Sequence, residues 1–206
     1  MTDSRGPRIV GLGASMTAGT PGFFSPRERP PAGEGNEQSQ YAYWMRRLRP
    51  GWEVLNRGMR GQRTDQILLR FEYDAVETCP DVLILLAGTN DLYQGRSARC
   101  ALTRLEQMVL RTLEAGRGAV LSSLPPLNIA SEDVKKIILD FNVSVRDLAG
   151  KTGAVFFDAY ALMEDPSRPG FIRESPDGVH PDVAGYRRLG EALVPAVETA
   201  LSRRAP

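Results

Sequence analysis

The chain has 206 residues, of which 42% are hydrophobic and 25% charged, and 26 basic side chains balance 25 acidic ones to give a formal net charge of +1. This length and composition are typical of one globular domain, and they exclude a disordered chain, a collagen-like repeat and a disulfide-stapled scaffold. A near-zero net charge without a long basic tract argues against a nucleic acid partner. We therefore expect a single domain over residues 1–206.

Two cysteines, Cys79 and Cys100, are too few to staple a chain of this size, and they lack the spacing of metal ligands. We interpret them as reduced, structural thiols. The chain begins without the charged region and apolar run of a secretory signal, and no segment approaches the roughly 20 apolar residues of a membrane span. These features favour a cytoplasmic protein with no stable insertion into a membrane.

Short aliphatic runs alternate with longer amphipathic stretches, which is the pattern of βαβ units around a parallel sheet. The run Val82–Leu86 is apolar throughout, as expected of a strand that is covered on both faces. The pattern predicts strands at residues 8–12, 52–56, 82–86, 119–123 and 154–157. It predicts helices at residues 41–48, 64–78, 98–115, 131–150 and 181–202, the last with Pro181 at a first helical position.

Residues 20–40 interrupt this alternation with a long loop that is rich in proline, glycine and charge. Loops of this length inside compact domains are usually functional or disordered. Because the segment begins just after the first predicted strand and turn, we expect a lid or wall over a site at that edge of the sheet. Phe23 and Phe24 are its candidate substrate contacts, since two adjacent aromatic rings in a polar loop either bury against something or stay exposed.

The first predicted strand runs into the sequence GLGASMTAG at residues 11–19. Ligands of open parallel sheets bind outside the carboxyl ends of the strands, and the glycines permit a tight turn that puts Ser15 at the start of a helix. Ser15 is then a candidate nucleophile, a helix N-cap or part of a phosphate cradle. The cradle is poorly supported, because neither GxGxxG nor the GK[ST] of a P-loop is present.

The one histidine of the chain, His180, lies in the sequence SPDGVHP. Histidine is the usual general base near neutral pH. Asp177 stands three residues before it, in a turn that can bend the carboxylate back onto the ring and fix its tautomer. The alternative is a surface histidine near the start of a helix.

Two further loops follow the second and third predicted strands. The sequence NRGMRGQRT contains Gly61, and the sequence AGTND contains Asn90. A backbone N–H at a glycine and a side-chain amide can both donate to a developing oxyanion. Taken separately, the first sequence is also typical of a flexible βα loop, and the second is typical of a helix-capping turn.

Together these four blocks resemble the SGNH hydrolases of the GDSL esterase and lipase superfamily, which are named for Ser, Gly, Asn and His in four separate blocks. The blocks occur in the family's order and span nearly the whole chain. The resemblance implies a three-layer α/β/α sandwich with a flavodoxin-like, five-stranded parallel sheet. It also implies Ser15 as nucleophile, His180 as base, Asp177 as the residue that orients it, and an oxyanion hole made by the backbone N–H groups of Ser15 and Gly61 and the side chain of Asn90.

The chain departs from this family in one motif, because the GDS triplet reads Gly13-Ala14-Ser15 and lacks the acidic residue. The sequence lacks the G-x-S-x-G nucleophile motif of α/β-hydrolases, since Thr17 occupies the position of the second glycine. A single histidine also gives too few ligands for a catalytic metal. We therefore expect a serine esterase without metal or cofactor that hydrolyses short acyl, lysolipid or O-acetyl esters of small molecules through an acyl-enzyme. An acyltransferase with the same residues and a non-catalytic, flavodoxin-like module that binds a small anion are the alternatives.

Overall fold

A computed structural model describes residues 6–204 of the chain. The strands are β1 (Arg8–Gly13), β2 (Phe23–Phe24), β3 (Glu34–Gly35), β4 (Glu53–Gly58), β5 (Val82–Leu86), β6 (Gly118–Ser122), β7 (Val155–Phe157), β8 (Glu164–Asp165) and β9 (Arg168–Ile172). The α-helices are α1 (Ser15–Ala18), α2 (Tyr41–Leu48), α3 (Thr64–Leu69), α4 (Thr89–Tyr93), α5 (Ala98–Glu114), α6 (Glu132–Thr152), α7 (Ala159–Met163) and α8 (Val183–Ser202).

The central sheet has five parallel strands in the order β4-β1-β5-β6-β7. This is the flavodoxin-like order, in which the winding reverses at the first strand, and it confirms the fold predicted from the sequence. The carboxyl ends of the three neighbouring strands are level, because Gly13 of β1 is in register with Gly58 of β4 and with Leu86 of β5. The loops that follow these strands therefore meet at one edge.

Helices cover both faces of the sheet and form three layers. In β5, Leu83 and Leu85 pack into the core below α3, α5 and α6, whereas Val82, Ile84 and Leu86 pack into the core below α2, α7 and α8. Each such fully buried aliphatic side chain stabilises the fold by about 1.5–3 kcal/mol relative to an exposed one. This two-sided burial is the reason that the strand is apolar at every position.

Most predicted helices agree with the structure to within two residues at each end, and two of the differences have a clear physical description. Of the helix predicted over residues 64–78, only Thr64–Leu69 is an α-helix. A π-helical turn follows at Glu72–Val76, where the Glu77 N–H donates to the carbonyl of Glu72. Placing Pro181 in a first helical position is wrong, because α8 begins at Val183. The Asp182 carboxylate caps this helix by accepting from the Gly185 N–H at 2.8 Å.

The segment of residues 20–40 is more ordered than the loop that we predicted. It contains the short antiparallel pair β2 and β3 and a 3₁₀ turn at Glu37–Ser39. Cys79 and Cys100 are free, as predicted, and both are exposed. Within residues 6–204, none of the helices combines the length and the apolar character needed to cross a membrane.

A buried ion pair ties three parts of the chain together at the carboxyl edge of the sheet. Arg70 donates to the carbonyls of Gly13 at 2.9 Å and Arg57 at 2.8 Å, and thus joins the ends of β1 and β4. The same guanidinium donates to the fully buried Asp74 at 2.6 Å, and Arg27 of the 20–40 segment lies 3.0 Å from the other carboxylate oxygen. Asp74 therefore balances two cations, one of which is almost completely buried.

Replacing Asp74 by alanine should lower the free energy of unfolding by about 3 kcal/mol or more, because it leaves the Arg70 charge buried without a partner. Urea unfolding measured by circular dichroism would test this. Glu72→Ala is the matched control, since Glu72 lies in the same π-helical turn but forms an exposed ion pair with Arg111, which is worth about 1 kcal/mol or less. Equal losses in the two variants would contradict the prediction.

Candidate active site

Ser15 is the first residue of α1, directly beyond the end of β1. The N-cap position of this helix is held by Ala14, which makes no side-chain cap bond, so the helix-cap interpretation of Ser15 is wrong. The Ser15 hydroxyl lies instead 2.8 Å from Nε2 of His180. Ala14, which stands in place of the acidic residue of the GDS triplet, thus occupies the N-cap position of α1.

His180 and Asp177 lie on the loop between β9 and α8, and they meet at short range. Nδ1 of His180 is 2.7 Å from Oδ2 of Asp177. The other carboxylate oxygen of Asp177 accepts the backbone N–H groups of Val179 at 2.9 Å and His180 at 2.7 Å. Ser175 closes the loop by donating its hydroxyl to the His180 carbonyl at 2.6 Å.

The ionisation of Asp177 decides which nitrogen of His180 carries the proton. Partial burial alone would raise the pKa of Asp177, but the hydrogen bonds from the His180 ring and from the backbone N–H groups of His180 and Val179 outweigh burial, and the pKa of this carboxyl lies below its ordinary value. An ionised carboxylate only accepts hydrogen bonds, so Nδ1 is the donor. In the neutral ring, Nε2 then accepts the Ser15 hydroxyl.

Gly61 lies in the loop that follows β4, with a φ of +70° that favours glycine. The close approach of this loop to α1 also requires Gly58, since a Cβ on Gly58 would stand 2.1 Å from the backbone nitrogen of Ala18. Asn90, in the first turn of α4 beyond β5, donates its side-chain amide to the carbonyl of Gln62 at 2.9 Å. A hydrogen bond thus links the loop that contains Gly61 with the helix that contains Asn90.

A small pocket opens beside Ser15 and His180, with a volume of about 20 Å³. That is about the room taken up by one water-sized group. Its wall is mostly apolar and comes from residues beyond β1, β5 and β6 and from the His180 loop. The lining residues are Ala14, Ser15, Met16, Leu86, Ala87, Gly88, Thr89, Asn90, Pro125, Pro126, Leu127, Val179 and His180.

A model of the GDSL-like lipase/acylhydrolase family matches residues 12–188. The chain belongs to this family. The match includes every block of the predicted site, from Ser15 to His180. The protein is therefore an acylhydrolase, an enzyme that acts on ester bonds.

Individual relatives are distant in sequence and close in fold. An acetylxylan esterase of Geobacillus stearothermophilus is 23% identical over 156 residues, which are 70% of this chain and 71% of that protein. A crystal structure of an acetylxylan esterase from the same species covers 96% of each chain, at 21% identity and a TM-score of 0.73. A GDSL-like lipase of Bacteroides thetaiotaomicron covers 94% of this chain and 89% of its own, at 21% identity and a TM-score of 0.76. At these identities the structural likeness shows the fold alone.

Phe23 and Phe24 are not among the pocket-lining residues of this acylhydrolase. Phe23 is buried in the short β2–β3 hairpin. The ring of Phe24 lies under the guanidinium of Arg60, whose central carbon is 3.5 Å from the ring centroid. In the described residues, the two aromatic rings pack against their own loop and the loop beyond β4, and a role in substrate contact stays a prediction.

The pocket also contains residues that sequence reasoning missed. Pro125, Pro126 and Leu127 directly follow β6 and form one wall. The sequence Leu-Pro-Pro-Leu at the carboxyl end of a predicted strand is a usable signal, because ligands bind at this edge in open parallel sheets.

Among residues 6–204, no group of three or more His, Cys, Asp or Glu side chains is arranged to hold a metal ion.

The lowered pKa of Asp177 predicts a defined pH dependence of stability. Because the native pKa lies below the unfolded value of about 3.9, ionised Asp177 adds stability that is complete above the unfolded value and is lost as the pH falls through the native pKa. The difference in free energy of unfolding between the natural protein and Asp177→Asn should be present at about pH 5 and shrink below about pH 4. Urea unfolding at a series of pH values measures it.

The matched control is Asp140→Asn, since Asp140 is an exposed aspartate on α6. This change should alter stability by no more than about 0.5 kcal/mol. A difference for Asp177→Asn that is the same at about pH 5 and at about pH 2 would contradict the prediction.

Proposed function

We propose that this protein is a serine esterase that removes acetyl or similarly short acyl groups from small-molecule esters through an acyl-enzyme. The observation that carries the proposal is the continuous chain of hydrogen bonds from the Ser15 hydroxyl through His180 to Asp177, at the mouth of a small apolar pocket. Nucleophile, base and orienting carboxylate within hydrogen-bond reach of one another are the requirement for acyl transfer by a serine.

Acylation begins when Nε2 of His180 takes the proton of the Ser15 hydroxyl. Oγ attacks the ester carbonyl carbon, and the electron pair of the C=O bond moves to oxygen. Asp177 stabilises the imidazolium that forms, because its ionised carboxylate lies 2.7 Å from Nδ1. The electron pair on the oxyanion then re-forms the C=O bond while the bond between the acyl carbon and the alcohol oxygen breaks. His180 gives the proton to this departing oxygen, and the acyl group remains on Ser15.

Negative charge on the carbonyl oxygen requires donors that are already in place. We assign these to the backbone N–H groups of Ser15 and Gly61 and to the side-chain amide of Asn90. The amide of Asn90 has two N–H donors, and the carbonyl of Gln62 accepts one of them. The other is available to the oxyanion, while the bond to Gln62 holds the amide in its orientation.

Deacylation repeats the same steps with water. His180 removes a proton from water, the resulting hydroxide attacks the acyl carbon, and the proton is returned to Oγ as the acid is released. The three residues of the hydrogen-bonded chain thus return to their starting state without any other reactant.

The size of the pocket favours a short acyl group. A volume of about 20 Å³ is about the room taken up by one water-sized group, which favours a methyl group over an extended acyl chain. The apolar wall formed by Leu86, Pro125 and Leu127 suits the methyl of an acetyl ester. The name of the Geobacillus relative, acetylxylan esterase, also specifies an acetyl group, which agrees with this proposal.

Ser15→Ala and His180→Ala should each lower kcat on p-nitrophenyl acetate by roughly 10⁴-fold or more, because nucleophile and base act as a unit. Ser15→Ala should also abolish covalent labelling by a fluorophosphonate. Ser144→Ala is the control, since this hydroxyl bonds to its own helix at the carbonyl of Asp140 and should leave both readouts unchanged. Labelling that persists in Ser15→Ala would show that another residue is the nucleophile.

The pocket also predicts acyl selectivity, which a series of p-nitrophenyl esters measures. The natural protein should prefer acetate to butyrate by about tenfold or more in kcat/KM, since each unaccommodated methylene costs about 1–3 kcal/mol. Leu127→Ala opens the wall and should reduce this preference. Leu124→Ala is the matched control, because Leu124 is equally buried in the same segment but does not line the pocket. The proposed pocket would be wrong if both variants changed the preference equally.

A further inference from the structure

Gly61 has no side-chain packing that could hold it in place. It is exposed, and a Cβ built on it would have no atom within 4 Å beyond its chain neighbours. Its backbone must therefore be held by the residues on either side. On one side, the Gln62 carbonyl accepts from Asn90 at 2.9 Å. On the other side lies Arg60, which contacts three residues of the 20–40 segment. These are Phe23, Phe24 and Glu28.

Glu28 accepts the hydrogen bond that restrains the backbone immediately before Gly61. One of its carboxylate oxygens accepts the Arg60 backbone N–H at 2.8 Å, and the other accepts the backbone N–H of Ser25 at 2.9 Å. The Glu28 side chain is 12% exposed. A carboxylate that accepts backbone N–H groups forms charge-assisted bonds, which are about twice as strong as neutral ones.

Three further contacts make the same connection. The Ser25 hydroxyl, which is fully buried, donates to the carbonyl of Gly58 at 2.6 Å. The Arg60 guanidinium donates to the carbonyl of Phe23 at 2.8 Å and stacks on the ring of Phe24. The turn at Ser25–Glu28 therefore holds both ends of the loop that leads from β4 to Gly61.

From these contacts we propose that Glu28 is a positioning residue for hydrolysis: by accepting the Arg60 N–H, it restrains the Met59–Arg60 peptide, which directly precedes the peptide that presents the Gly61 N–H to the oxyanion. The inference rests on the proposed function, in which Gly61 is an oxyanion donor. It assigns a task to the 20–40 segment other than covering the pocket. Glu28 itself does not touch the substrate.

The expected effect follows from the geometry of oxyanion stabilisation. Removing one oxyanion donor lowers kcat by about 10²–10³, and a misplacement of about 1 Å can lower the rate by about 10²-fold. Glu28→Ala frees the Arg60 N–H without removing the Gly61 N–H. We therefore expect kcat on p-nitrophenyl acetate to fall by about 10- to 100-fold, with little change in KM.

Two variants separate the carboxylate from its surroundings. Glu28→Gln retains one oxygen that can accept the Arg60 N–H but loses the acceptor for Ser25, so its kcat should lie between those of the natural protein and Glu28→Ala. Arg60→Ala removes the contacts of the guanidinium but retains the backbone N–H that Glu28 accepts. It should lower kcat less than Glu28→Ala does.

Glu34→Ala is the matched control, because Glu34 lies in the same segment and its side chain is 70% exposed in an ion pair with Arg29. Melting temperature and far-UV circular dichroism are measured for every variant. The inhibition constant of methylboronic acid, which forms a tetrahedral adduct with a serine hydroxyl, should rise in Glu28→Ala along with the fall in kcat. A residue that only stabilises the fold would change the melting temperature without changing this constant in the folded enzyme.

The outcomes distinguish this inference from the function on which it rests. If Ser15→Ala abolishes turnover and folded Glu28→Ala retains the natural kcat, the positioning role is overturned and the esterase function stands. The role is also overturned if Glu28→Gln and Glu34→Ala lower kcat equally. If Ser15→Ala has no effect on turnover, the proposed function fails and the positioning role fails with it.

Discussion

The hydrogen bond of 2.8 Å between Ser15 Oγ and His180 Nε2 joins residues that are 165 positions apart. It forms only if both ends of the chain arrive at the same edge of the sheet. Parallel strands achieve this, because each β-strand must return through a crossover and all strands then end on one side. The level ends of β1, β4 and β5 bring three separate loops together there, and the loop before α8 brings the histidine to them.

Backbone at this edge is held mainly by buried polar contacts. A loop has no ladder of its own, so its carbonyl and N–H groups need other partners. Arg70 supplies two of them to the ends of β1 and β4, Asp74 balances its charge, and Glu28 accepts the Arg60 N–H. Stability and the proposed catalytic geometry therefore depend on neighbouring polar contacts, to which the 20–40 segment contributes through Arg27 and Glu28.

The walls of the small pocket beside Ser15 are formed mainly by the strands of the central sheet and the loops that follow them. Most of its walls come from residues that end or follow β1, β5 and β6, the strands that pack against both cores. In the proposed function, these walls favour a short acyl group near the nucleophile over a longer one. In contrast, Phe23 and Phe24, which were candidates for substrate contact because they are adjacent aromatic residues in a polar loop near Ser15, pack within their own segment and against Arg60.

The sequence by itself determined the five strands of the parallel sheet and the positions of the four blocks, because strand period and strand-end motifs are local signals. Ser15, Asp177, His180 and Asn90 became candidates for this reason, and the roles expected of them came from the resemblance to the SGNH hydrolases. The strand order was implied only by that resemblance. Only the tertiary structure decided that Ala14 occupies the N-cap position of α1, that a π-helical turn follows α3, and that Glu28 accepts the N–H of Arg60, 32 positions away. Those contacts depend on the path of loops that have no periodic pattern, and a charged residue in such a loop carries no sign of its partner until the chain has folded.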